Sequence, residues 1–269
     1  MKRVFLSLAL LSSVFVSATD NPPMGARSLG LAGCGTALHN DVWGVQNNQA
    51  SLADLQSFSA GVFYESRFMM SELSMKGFAA ALPMEFGTFG INVNSFGFSQ
   101  YGETKAGLAY AQKLGEHFSM GVQLDYFNTR IGENYGSSST VGGEIGLLAE
   151  PVKNLTVGLH LFNPTRAKLA GNLSERIPTI MRFGLSYKFS EQVFVITEAE
   201  KDVDYKTTFR GGLEYRPLPV FYIRAGATSN PGLVAMGFGV AMKKFRLDIA
   251  STFHSQLGFS PSVGLQYGF

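Results

Sequence analysis

The chain contains one cysteine, Cys34, in 269 residues, so no internal disulfide can hold it together. Charge is scarce: charged residues make up 16%, and 22 basic side chains face 20 acidic ones. A net charge of +2 provides no basic face for nucleic acid, and no such partner is expected. Beyond the first 18 residues, no apolar run approaches the roughly 20 residues that a membrane-spanning helix needs. The four histidines, His39, His117, His160 and His254, are scattered without metal-ligand spacing, so no metal or cofactor is expected. The glycines Gly30, Gly33 and Gly35 follow no strand and precede no Lys-Ser/Thr pair, which excludes a phosphate loop. No serine stands in a nucleophile-elbow context, and the sequence does not read as an enzyme.

What is abundant points elsewhere. There are 31 glycines, 23 phenylalanines and 10 tyrosines. The chain opens with Lys2 and Arg3, the apolar run VFLSLALLSSVFV, then Ser17 and Ala18. That order describes a secretory signal peptide over 1–18, cleaved after Ala18. Residues 31–34 read LAGC, the spelling of a lipoprotein signal, but Asp20, Pro22, Pro23 and Arg27 separate it from the apolar run. A proline-broken polar stretch cannot continue that helix. Close packing, with Cys34 as a small buried side chain, is the better expectation.

The remainder alternates with a period of two. Phe118, Met120, Val122, Leu124 and Tyr126 oppose Ser119, Gly121, Gln123 and Asp125; Met181, Phe183, Leu185 and Tyr187 oppose Arg182, Gly184 and Ser186. One apolar and one polar or tiny face is a strand pattern. Fourteen such segments occur, near 57–66, 73–82, 87–97, 104–113, 117–129, 140–150, 154–163, 179–189, 192–201, 206–216, 219–228, 233–242, 245–254 and 260–269. Those at 73–82 and 192–201 alternate poorly. Most are about ten residues, the length of a tilted strand crossing a bilayer. Tight connections such as 83–86, 151–153 and 243–244 alternate with longer ones at 128–140 and 163–179, the asymmetry of periplasmic turns against extracellular loops. The last segment ends in Tyr267 and Phe269, resembling the signal that barrel-assembly machinery recognises. The fold class expected is all-β: a fourteen-stranded antiparallel transmembrane β-barrel over 57–269, in contact with outer-membrane lipid.

Residues 19–56 do not alternate and suit an N-terminal plug folded into the lumen. Their stretch GARSLGLAGCGTALHNDVWGVQNNQASLA resembles the hatch of the FadL-type family of outer-membrane hydrophobic-compound channels, which includes PorV- and PorQ-like proteins of type IX secretion. Gly30, Gly33 and Gly35 match its small-residue run, Asp41 its acidic position, and Asn47, Asn48 and Ala50 its asparagine motif, with Gln49 in place of proline. The resemblance implies fourteen strands and a Gram-negative outer-membrane location. It further implies passive transport or binding of a small hydrophobic ligand such as a fatty acid. The alternative it implies is a non-transporting protein that partners secretion-system components. In that family substrate leaves through a break in a strand; Gly87, Gly90 and Gly97 are the candidates here. The chain departs from the fatty-acid channels in its shorter outer loops. Alternation places Asp125, Glu144, Arg182, Arg210, Glu214, Arg224, Arg246 and Asp248 on the lumen side. They would either pair with one another or, through an arginine such as Arg182, Arg210 or Arg224, hold a ligand carboxylate.

Overall fold

The computed structural model describes residues 21–132, 136–168, 177–203 and 205–268. The signal-peptide region and Phe269 lie outside them. Among the described residues fourteen strands occur: β1 (Ser59–Ser66), β2 (Ser74–Met84), β3 (Gly87–Gly97), β4 (Tyr101–Lys113), β5 (Phe118–Ile131), β6 (Gly136–Val152), β7 (Leu155–Phe162), β8 (Ile180–Lys188), β9 (Val193–Asp202), β10 (Thr208–Leu218), β11 (Phe221–Thr228), β12 (Leu233–Met242), β13 (Phe245–His254) and β14 (Gly258–Tyr267). Each pairs antiparallel with its chain neighbour, and β1 closes on β14 from Ala60↔Tyr267 to Glu65↔Ser262. Closure leaves no sheet edge, which is the condition for a β structure to stand in lipid.

Large apolar side chains such as Leu124, Phe183, Met236, Phe238 and Ile249 point outward and stand exposed. Aromatic pairs mark two levels on this outer face. Phe245 pairs with Tyr267 at one end of β13 and β14, with ring centroids 5.2 Å apart; Phe253 pairs with Phe259 at the other, at 4.8 Å. Eight residues separate the two levels, about 26 Å along a strand. With a tilt of about 40° the height is roughly 20 Å, close to the apolar band of an outer-membrane barrel.

The connections at the end nearest the chain's entry into β1 are short: 85–86, 114–117, 153–154, 189–192, 219–220 and 243–244. Asn154 and Lys243 take φ of 70° and 55° in two of them, as tight hairpin turns require. The opposite end carries 67–73 and 163–179.

Three differences from the sequence reading have physical causes. β4 and β6 begin earlier than expected, at Tyr101 and Gly136, because backbone pairing continues above the apolar band, where Ser137–Ser138–Ser139 need no greasy face. The weak alternation of β2 arises because Met75, Ala79 and Ala81 on its inner face are buried in an apolar cluster; Ile196 does the same on β9. Finally, Gly87, Gly90 and Gly97 do not break the wall. β3 pairs without interruption from Met84↔Gly87 to Met75↔Phe96 on one side and from Thr88↔Ala111 to Gly97↔Gly102 on the other. Gly87 and Gly97 lie at strand ends with φ of 148° and 99°, where the chain turns. Gly90 faces inward, and a Cβ there would come within 2.7 Å of Leu52.

Candidate functional site

Residues 21 to about 55 pack against the inner face of the barrel wall. This stretch forms two short helices, α1 (Ala26–Gly30) and α2 (Gly44–Asn47), followed by a 3-10 turn over Gln49–Asp54. None of these would persist alone, since isolated helices this short are unstable in water. The wall holds them.

The residues of the hatch-like motif fix the path of this segment. Asn47 clasps Met24: its Oδ1 accepts from the Met24 amide at 2.9 Å, and its Nδ2 donates to the Met24 carbonyl at 2.8 Å. Asn48 donates to the carbonyls of Thr36 at 2.7 Å and Leu147 of β6 at 3.0 Å, while its Oδ1 accepts from the Ala50 amide at 3.2 Å. Gly33 supplies a left-handed φ of 84°. Gly30 lies against Gly237 of β12, and Gly35 lies under Asn47, so a Cβ at either would crowd its neighbour at 3.2 Å and 2.8 Å. Cys34 is buried with Leu31, Ala37, Leu38 and Ile196. Burial, with the nearby Glu198 charge adding to it, pushes its thiol pKa up.

Charge on the inner wall falls into three clusters, each reaching the segment. In the first, Glu214 bridges Arg27 of α1 at 3.0 Å and Arg224 at 2.6 Å; Arg224 continues to Asp248 at 2.7 Å. Arg246 then joins Asp248 to Asp41 of the segment, at 2.8 Å each. In the second, Arg210 holds Glu198 at 2.8 Å and Glu200 at 2.9 Å, and Arg182 holds Glu200 at 2.6 Å. The other oxygen of Glu198 accepts the amides of Gly35 at 3.0 Å and Thr36 at 2.9 Å. In the third, Glu144 takes Lys105, His160 at 2.6 Å and the side-chain Nε2 of Gln49 at 2.7 Å, with Asp125 at 3.6 Å from Lys105.

A fourth contact secures the short-turn end. Asp54 meets His39 at 2.5 Å and Lys113 at 2.9 Å. Burial raises the Asp54 carboxyl, but the hydrogen bonds and charges of His39 and Lys113 outweigh it and hold the pKa below its usual value.

All eight lumen residues picked from alternation therefore face inward and are tied into these clusters. Arg182, Arg210 and Arg224, the candidates for a ligand carboxylate, are each committed to protein carboxylates. Sequence reasoning missed Lys105, Glu198 and Glu200 as partners. Their parity on TEAEKD and ETKAG placed them on the inner face and was the available signal. His160 sits within the third cluster, while His254 packs its ring edge-on against Phe68 at 6.2 Å.

Between the segment and the long-loop end lies a cleft lined by Pro22, Met24, Gln46, Met75, Lys105 and Phe127, with room for about one water molecule.

No family model and no curated protein matches the chain. Solved structures do. The toluene transporter TodX of P. putida superposes with a TM-score of 0.74 at 12% identity, covering 93% of this chain and 99% of that one. The fold is FadL-like. A Pseudomonas aeruginosa FadL homologue gives 0.69 at 12% identity over 92% and 99% of the two chains. The CymD monoaromatic hydrocarbon channel gives 0.67 at 15% over 92% and 97%. This FadL-like barrel thus shares its strand number and closure with channels at identities that speak for architecture alone.

Proposed function

We propose that this FadL-like barrel is exported by a cleaved signal peptide to the outer membrane. There it passes small uncharged hydrophobic compounds, with residues 19–56 as its plug. The likeness to hydrocarbon channels over nearly the whole chain carries the reading. Two features of the lumen support it and narrow the cargo. Every cation of the three clusters already has a carboxylate partner, which favours a hydrocarbon over a fatty acid that would need a cation of its own. The buried contacts of Asp41, Asn47 and Asn48 suit a segment seated stably in the lumen.

A hydrocarbon crosses a plain phospholipid bilayer unaided, so the test needs a lipopolysaccharide outer leaflet. Cells lacking their own hydrocarbon channels should take up labelled toluene faster when they make this protein. Equal uptake with and without it removes the transport reading.

A second reading, a surface protein that binds secretion-system partners, draws on the β1–β2 connection. Phe68 and Met69 take left-handed φ of 54° and 58° there, an unusual state for bulky residues. Met69 stands 70% exposed beside exposed Met70. Adjacent exposed methionines form an adaptable apolar contact surface. Secreted proteins co-purifying from native membranes, and lost on Met69→Asp, would favour this reading.

A further inference from the structure

The interior is two-sided. The ion pairs of the N-terminal segment run to β4, β6, β10 and β13, through Asp54–Lys113, His39–Glu150, Arg27–Glu214 and Asp41–Arg246. Against β1 and β2 the contact is apolar. There a continuous cluster extends along the inner wall from Met75 and Phe96 at the long-loop end to Ala81 and Ala111 at the short-turn end. Six residues of β2 separate Met75 from Ala81, about 20 Å along the strand.

The two sides of this seam differ in size. The wall presents small residues, Gly61, Gly77, Ala79 and Ala109, and the segment presents Met24 and Trp43. Trp43, together with Met24 over Gly77 and Val42 over Gly61, fills the space that the glycines leave. A Cβ on Gly77 would come within 3.1 Å of its ring, and one on Gly61 within 3.5 Å; Gly25, with φ of 95°, would meet it at 2.7 Å from behind. Its ring also sits edge-on to Phe63, centroids 5.6 Å apart. At its upper end the seam is continuous with the cleft, since Met24 and Met75 line both.

Physical cost separates the two sides as routes. Passage through the charge clusters would part buried ion pairs, which is strongly unfavourable. Passage down the β1–β2 face, clear of the bonds from Gln46 to Asn92, Asn94 and Lys105, requires only that apolar side chains change rotamer, and a hydrocarbon replaces the contacts they give up. Resting on the transport reading above, we propose that the apolar compound moves down this seam between the segment and β1–β2, and that Trp43 is the side chain that closes it. The seam's class of ligand is an uncharged compound about the size of one aromatic ring. Truncating Trp43 to alanine opens a space of roughly 150 Å³, a size that binds benzene when its walls are apolar.

The test uses the full-length protein with Trp43→Ala, and with Trp43→Leu should the first variant lose the heat-dependent gel mobility of a folded barrel. Toluene uptake by cells making the variant should exceed wild type several-fold. Crystals soaked in bromobenzene should show anomalous bromine density beside Gly61 and Gly77. Wild-type uptake with an unchanged variant rate overturns the seam and leaves the transport reading standing, as does bromine density confined to the β8–β13 side. No wild-type uptake above control overturns the transport reading itself, and the route with it.

Discussion

Removing Glu198 should unseat the turn at residues 34–36 and make Cys34 reactive. One oxygen of Glu198 accepts both the Gly35 and the Thr36 amide, at 3.0 Å and 2.9 Å, in a buried site. In Glu198→Ala both donors lose their acceptor. Leaving a buried donor unsatisfied costs about 1–3 kcal/mol. Taking about 1.5 kcal/mol for each gives about 3 kcal/mol, or roughly a hundredfold rise in the opened population of this turn. Arg210 loses one partner but keeps Glu200, so the wall itself should hold. The assay is the rate of maleimide labelling of Cys34 in the folded barrel, which wild type should resist because the thiol is buried and its pKa is raised. Deleting the Glu198 charge also lowers that thiol pKa, so Glu198→Gln is the proper reference: it removes the same charge and keeps an acceptor oxygen. Labelling of the alanine variant at the rate of the glutamine variant would mean that the turn does not depend on this acceptor.

Other outcomes follow from the same contacts. Glu214→Ala takes a shared carboxylate from two buried guanidiniums, Arg27 and Arg224; it should cost about 3–5 kcal/mol, read as a lower urea midpoint of the folded barrel. Gly121→Val should displace the segment while the barrel stays folded, because a Cβ there would lie 2.7 Å from the Ala50 amide nitrogen; limited proteolysis between residues 21 and 56 reports it. The Asp54 contact should survive mild acid. With a folded-state pKa below the usual value of about 3.9, its contribution is complete above that value and disappears as pH falls through the lowered one. Protease sensitivity of the segment should therefore rise only below roughly pH 4, and Asp54→Asn should remove that dependence. His39, Lys113 and Glu150 share the site, so the comparison between wild type and Asp54→Asn isolates the carboxylate.

The wall was legible because lipid and lumen impose opposite demands on alternate residues. Phe118 to Tyr126 and Met181 to Tyr187 show that demand without any tertiary information. Where the lumen side is itself apolar, as at Met75, Ala79 and Ile196, the contrast fades, and β2 and β9 read weakly. The ion-pair partners were not legible. Arg27 and Glu214 lie far apart in the chain and meet only because α1 is seated against β10. Glycine was legible as a residue type but not as a role. Gly87, Gly90 and Gly97 suggested a gap, whereas two of them turn the chain and the third makes room for Leu52. The edge-on contact of Trp43, the lone tryptophan, with Phe63 of the wall has no local pattern to announce it, since the two lie on separate elements.

Toluene uptake by cells with a lipopolysaccharide outer leaflet, with and without this protein, is the most direct measure of a hydrocarbon path through the barrel. A channel for hydrocarbons gives faster entry with the protein, rising with its amount in the membrane. Entry at the same rate at every expression level would mean that the barrel passes no hydrocarbon.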